Sequence, residues 1–382
     1  MNRREFLEAA AVVPLALAMP AVLPSLARAA GEPSAGTPEA VGFAPKPGAW
    51  RTHEIVTKLE IDAPKGAVQK AVQAWVPLPS VQEDGWFRSL DSAVATNGRA
   101  TRKTEPTYGA RMVHVTWPAG ESAPSVTVTS RIATRDRATD FSDPEGVVLD
   151  ADTRRLYTMP TALIPTDGIV KETSDTITRG AASDVAKAKA IYEWIVENTF
   201  RDPKVRGCGI GDISAMLKTG NLRGKCADLN ALYVGLARAA GIPARDIYGI
   251  RIAPSTFGYK SLGAGSEVIS KAQHCRAEVW LEGFGWVPVD PADVRKVVLE
   301  EPPKNLPLDD PKVVAARKTL FGAWEGNWLA YNFAHDVVLP GSDGPPLAFL
   351  MYPQAEVAGL RLDCLEPDTF RYVITARDVT AA

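Results

Sequence analysis

GKCADLNALYVGLARAAGIPAR (residues 224–245) sets a cysteine at the start of an amphipathic segment, and HCRAEVWLEGFGWVPVDP (residues 274–291) follows with a histidine and a late aspartate. In the first stretch Leu229, Leu232, Tyr233, Leu236, Ala237 and Ala240 recur at three- and four-residue intervals, which predicts a helix with one apolar stripe. Gly241 supplies a C-terminal stop and Pro243 lies just beyond, so the helix runs from about Cys226 to Ala240. The first turn of a helix carries unpaired N–H groups and the positive end of the peptide dipole. A thiolate there is favoured over a thiol, and with a histidine partner the usual cysteine pKa of about 8.5 falls by one to several units. Gly224 permits a tight turn, and Lys225 adds positive charge beside the sulfur.

In the second stretch Ala277 to Leu281 alternates as a half-buried strand, Gly283-Phe284-Gly285 breaks it, and Trp286 to Val289 resumes it. This predicts a β-hairpin whose two outer ends carry His274 and Asp290. A symmetric turn about Gly283 and Phe284 puts Asp290 opposite Ala277, leaving a stagger of three residues for a bulge or wider loop to absorb. A carboxylate that accepts the N–H of one imidazole nitrogen leaves the other nitrogen facing a thiol. Cys226, His274 and Asp290 are therefore the candidate nucleophile, base and orienting acid.

These residues resemble a known family. The block from about Ala182 to Asp293 is similar to the transglutaminase-like core, a circularly rearranged relative of the papain fold, in which a cysteine helix precedes a histidine strand and an aspartate strand. GIPAR after the cysteine helix and GWVPVDP at the aspartate are typical of it, and IYEWIVENTFRDP (residues 191–203) looks like the helix and turn that precede its cysteine. The resemblance puts Cys226, His274 and Asp290 in the family's triad positions. It implies an α+β fold, helices packed on an antiparallel sheet. Cys275 departs from the small residue often found beside the histidine, which raises a question of redox chemistry.

The N-terminus carries Arg3-Arg4 before Phe6-Leu7, an apolar run from Ala9 to Pro24 and a small-residue exit at Ala27-Arg28-Ala29. That outline is a twin-arginine export signal over residues 1–29, which places the mature chain in a bacterial periplasm or outside the cell. Prolines 14, 20 and 24 make a stable membrane span of this run improbable. The net charge of −2 becomes −3 once residues 1–29 are removed, with three basic and two acidic side chains lost. No basic stripe remains, which argues against a nucleic-acid partner or a charged-membrane role for the mature protein.

The rest divides by pattern. Residues 30–47, rich in Gly, Pro and Ala, read as a linker. Residues 48–160 alternate in short runs, Glu54 to Ile61, Val68 to Pro77, Arg111 to Trp117 and Ser125 to Thr134, as an N-terminal β-rich domain. Residues 161–300 form the expected catalytic core, with Ser183 capping a helix to about Asn198 and Asp212 capping a shorter one through Lys218. Residues 301–382, with strand-like Leu347 to Tyr352 and Phe370 to Ala376, complete the core's sheet or form a C-terminal β-lobe.

Four cysteines are present. With Cys226 as nucleophile, Cys208, Cys275 and Cys364 permit at most one disulfide, and Cys208 and Cys275 are candidates to pair or to act as a redox guard. His53, His114 and His335 lie far apart without ligand spacing, so neither a zinc site nor any other cofactor is expected. The chemistry that follows is attack by the Cys226 thiolate on the acyl carbonyl of a peptide or protein, with the oxyanion against the Cys226 N–H and a second donor sought in Arg201 to Asp212. Hydrolysis of the acyl-enzyme is the expected outcome, amine-dependent transamidation or a non-catalytic binding role the alternatives. Phe257, Tyr259 and the loop Gly258 to Gly265 are expected to form a flexible rim.

Overall fold

The computed structural model describes residues 46–61, 71–366 and 370–380. The twin-arginine segment and most of the linker lie outside the described residues, and no described helix is long and apolar enough to cross a membrane.

The fold is α+β, with helices packed on a central antiparallel sheet that is joined to strand-rich sheets. At its centre is an antiparallel sheet ordered Gly285–Val289, Gln273–Leu281, Ala244–Arg251, Trp328–Asn332. The helix Cys226–Ala239 packs on its two middle strands. Every residue of that helix is buried, because the helices Gly168–Ile177 and Asp184–Asn198 cover the side away from the sheet. Ser183 caps the latter helix by accepting from Ala186 N, and Asp212 caps Ile213–Thr219 by accepting from Ala215 N, as the sequence predicts.

Two five-stranded antiparallel sheets make the β-rich part. One is ordered Arg371–Asp378, Arg51–Glu60, Ser125–Thr134, Phe87–Thr96, Gln82–Glu83, and the other Leu360–Arg361, Gln354–Val357, Val72–Pro77, Arg111–Trp117, Arg99–Thr104. Leu59, Val126 and Val128 from the first meet Ala74, Val76, Val113 and Val115 from the second in one apolar core. Alternation along each strand puts these side chains on the inner faces.

The residues after 300, expected to complete the core's sheet or to form a C-terminal β-lobe, are divided among several sheets. Trp328–Asn332 completes the central sheet, while Gln354–Val357 and Arg371–Asp378 pair with Val72–Pro77 and Arg51–Glu60 near the beginning of the chain. The described residues consequently cluster as one compact unit. Glu278, fully buried on the Gln273–Leu281 strand, ties the parts together: Arg245 Nε donates to it at 2.6 Å, and Arg137 of the N-terminal segment pairs with its other oxygen.

Candidate active site

The cysteine helix begins at Cys226, with Lys225 in extended conformation before it. Its N-terminus is held by Asp228, whose carboxylate accepts from the N–H groups of Lys225, Ile210 and Gly211, each at 2.9 Å. Ala227 N–H donates to the Cys208 carbonyl at 2.9 Å. The loop before the helix thus folds over its first turn and satisfies donors that the helix cannot satisfy itself. Gly209 approaches so closely that a β-carbon there would lie 1.9 Å from Asp228 Oδ2.

His274 stands on the neighbouring strand. Its Nε2 lies 2.7 Å from Asp290 Oδ2 and 3.4 Å from Asp293 Oδ2. The hairpin pairs Ala277 with Val289 and Leu281 with Gly285 without a bulge. The register therefore sits one residue from the expected pairing of Asp290 with Ala277, because the turn spans three residues rather than two. His274 reaches Asp290 diagonally across the ladder, within range for long side chains on one face. Asp290 also caps the helix Pro291–Glu300, accepting from Asp293 N at 3.0 Å, and that turn delivers Asp293 to the same imidazole.

The carboxylates are braced from three sides. Asn230 Nδ2 donates to Asp290 Oδ1 at 3.1 Å, Arg251 Nη2 lies 2.6 Å from Asp293 Oδ1, and Arg276 Nε lies 3.7 Å from Asp290 Oδ2. Burial and Arg251 push the His274 pKa down, but Asp293 and Asp290 outweigh them and raise it to about 9. Arg251 and the imidazolium in turn overcome burial to hold the Asp293 carboxyl far below the usual range.

Three thiols converge on the site. The Sγ atoms of Cys208, Cys226 and Cys275 all lie within 4.8 Å of one another, and all three residues are buried free cysteines. Hydrogen bonding from Cys208 and Cys275, then the His274 imidazole, hold the Cys226 thiol well below its ordinary pKa although burial opposes them. Cys208 is driven up chiefly by the Cys226 sulfur, and Cys275 chiefly by burial. The surroundings therefore favour ionisation at Cys226 over its two neighbouring thiols. Three sulfurs at this spacing are also the donor set a soft cation would take, and His274, Asp290 and Asp293 make a second group of mutually close donors. Cys208 and Cys275, expected to pair or to act as a redox guard, are brought together here as free thiols beside Cys226.

Cys226 and His274 open on a cleft of about 860 Å³. Arg201, Arg206, Gly207 and Cys208 from the loop before the cysteine line one side, and Gly263 to Gly265 another. Tyr259, expected on a flexible rim, is buried, with its hydroxyl donating to the Lys312 carbonyl at 2.9 Å. The sequence reading also missed Asp293, Asn230 and Arg251. Asp293 alone had a local signal, the Asp-Pro-x-Asp pattern that caps a helix three residues ahead of a second acid.

Comparison with known proteins bears on the family and the fold. Residues 171–291 match the transglutaminase-like superfamily core. An uncharacterised protein of Haemophilus influenzae is 39% identical over 337 residues, covering 84% of this chain and 89% of that protein. A crystal structure of a proposed cysteine protease from Cytophaga hutchinsonii superposes with a TM-score of 0.54 at 14% identity, covering 88% of this chain and 93% of that one, a likeness of fold.

Proposed function

The chain belongs to the transglutaminase-like superfamily, and on that premise we propose that it is an exported, cysteine-dependent amide hydrolase acting on a peptide or protein. The superfamily includes cysteine-peptidase-like enzymes and transglutaminases, which supports an enzyme in general. The observation that carries the finer reading is the His274 imidazole, set beside the Cys226 thiol and bonded at 2.7 Å to Asp290.

In the proposed reaction the Cys226 thiolate attacks the amide carbonyl, forming the S–C bond as the π electrons move to oxygen. Lys225 N–H and Ala227 N–H are taken by Asp228 and Cys208, whereas Cys226 N–H has no acceptor among the described residues and faces the developing oxyanion. Collapse of the tetrahedral species expels the amine, which takes its proton from His274, and leaves a thioester. His274, now neutral, takes a proton from water as its oxygen attacks the thioester, and Cys226 departs as thiolate. Asp290 and Asp293 stabilise the imidazolium of the resting state.

Iodoacetamide at neutral pH is expected to alkylate Cys226, and cleavage of an unblocked peptide library is expected to vanish in Cys226→Ala. Cleavage undiminished in that variant would remove the covalent mechanism, and product with a donor amine forming faster than hydrolysis would make the enzyme a transamidase. Export rests on Arg3-Arg4 and the apolar run behind them. Changing both arginines to lysine should retain the protein in the cytoplasm; unchanged fractionation would reject this route.

A further inference from the structure

The chain has 43 basic and 45 acidic side chains and a net charge of −2. Its catalytic cleft is charged quite differently. Arg201, Lys225, Arg251 and Lys296 line it around the cysteine, Arg206, Lys271 and Arg371 line it further out, and among the described residues no aspartate or glutamate does.

The carboxylates that balance these cations line no part of it: Asp293 is buried, Glu300 half-buried and Asp363 exposed. Asp293 answers Arg251 at 2.6 Å while also facing His274. Glu300 alone serves both Arg201 and Lys296, and Asp363 pairs with Arg206 at 2.8 Å. Lys225 and Lys271 have no ion-pair partner among the described residues. The positive excess lies next to the nucleophile. Lys225 adjoins Cys226 in the chain, and Arg201 pairs with Gly224 across a short parallel ladder. Crowding like charges into a concave, partly desolvated space is unfavourable unless an anion arrives to share it, and such a cleft concentrates anionic ligands. Val268, Ile269, Phe370 and Val373 give the same cleft an apolar stretch, suited to a peptide chain rather than to a small inorganic anion.

We propose that the cleft selects acidic peptides, binding an acyl donor that carries a carboxylate within a residue or two of the amide presented to Cys226, with Arg201, Lys225 and Lys296 as the residues that read it. This rests on the amide-hydrolase reading for its reaction but not for its binding preference. The two are therefore tested separately.

The first arm uses the full mature chain and two alkylating probes of similar size, anionic iodoacetate and neutral iodoacetamide, with modification of Cys226 followed by peptide mass spectrometry at pH 7. Iodoacetate is expected to react about tenfold faster at low salt, an advantage that shrinks as salt is raised. The ratio of the two rates is expected to fall at least about threefold in Lys225→Gln and again in Lys296→Gln. An equal slowing of both probes would mean that the cations serve only the thiolate, and a ratio that ignores salt and both substitutions would overturn the proposal. The second arm compares peptides identical except for Glu, Gln or Lys beside the scissile amide, with kcat/KM expected at least about tenfold higher for Glu than for Gln and lowest for Lys. Cleavage of all three at equal rates would overturn the proposal while leaving the hydrolase intact. Cleavage of none, with the iodoacetate advantage preserved, would support the cleft's preference and reject the hydrolase.

Discussion

Asn230, one helical turn beyond Cys226, donates from its single amide nitrogen both to Asp290 Oδ1 at 3.1 Å and to the Cys275 carbonyl at 2.8 Å. The helix that presents the sulfur therefore also fixes the acid and the strand that carries the base. Asn230 is fully buried, so its partners have no water to turn to. Asn230→Ala leaves a buried carboxylate oxygen and a carbonyl short of a donor and should cost about 1–3 kcal/mol, read as a lower urea midpoint with an unchanged slope. An unaltered midpoint would mean that Arg276 and the Asp293 amide suffice to hold Asp290.

The nucleophile's ionisation leads to a second expectation. Cys208 has one S–H proton and two takers, the Gln273 carbonyl at 3.3 Å and the Cys226 sulfur, and an ionised Cys226 is the stronger acceptor. Replacing it as Cys208→Ala removes the largest influence that lowers the Cys226 pKa. A hydrogen bond of about 0.5–1.5 kcal/mol corresponds to about a two- to tenfold loss in alkylation rate on the acid limb of the pH profile. The rate limb should move to higher pH while the alkaline plateau stays. A limb that does not move would show that Cys275 and His274 sustain the thiolate without Cys208.

Histidine linkage gives a prediction with a definite sign. His274 has its pKa raised from 6.5 to about 9, so its bound proton contributes fully to stability below about pH 6.5, and that contribution is lost as pH climbs through 9. Asp290→Asn removes one of the two carboxylates responsible. With Cys226→Ala in both proteins so that the thiol does not titrate, the stability difference between parent and Asp290→Asn should narrow as pH rises from 6.5 to 9. A difference constant over that window would contradict the assignment of Asp290 to the imidazolium.

How much of this was legible in the sequence depended on whether the signal was local. The cysteine helix could be read because its stripe and its stop at Gly241 are properties of one segment, and it ends at Ala239, one residue short of expectation. The same holds for Arg111–Trp117 and Ser125–Thr134, where alternation marks a half-buried strand to its ends. Arg99–Thr104 escaped notice because it is an edge strand with hardly a buried side chain. Which strands pair across the chain was illegible for another reason: Arg371–Asp378 beside Arg51–Glu60 is a contact over more than three hundred residues, and nothing in either segment names the other. In the site, Cys226, His274 and Asp290 stood in recognisable segments, whereas Cys208, Asn230 and Arg251 gained their positions only when loop, helix and sheet came together.

The strand that bears His274 also tolerates no thickening of its neighbour. Gly249 pairs with His274 across the central sheet, and a β-carbon on it would lie 2.1 Å from the Leu329 carbonyl and 2.4 Å from the Trp328 ring. Trp328 cannot simply swing aside, since it is buried and its indole N–H donates to the His274 carbonyl at 3.1 Å. Gly249→Ala must therefore push Trp328–Asn332 away or tilt the His274 strand, an overpacking that typically costs about 1–3 kcal/mol. Because the displaced indole is bonded to the histidine's own backbone, the proposed hydrolysis should fall by more than the fraction unfolded accounts for, with activity measured on protein shown by circular dichroism to be folded. Gly85→Ala is the matched control: a β-carbon there meets nothing within 4 Å, and both stability and activity should stay close to the parent's. Full activity in folded Gly249→Ala would show that the imidazole is positioned by its carboxylates alone and not by the strand beneath it.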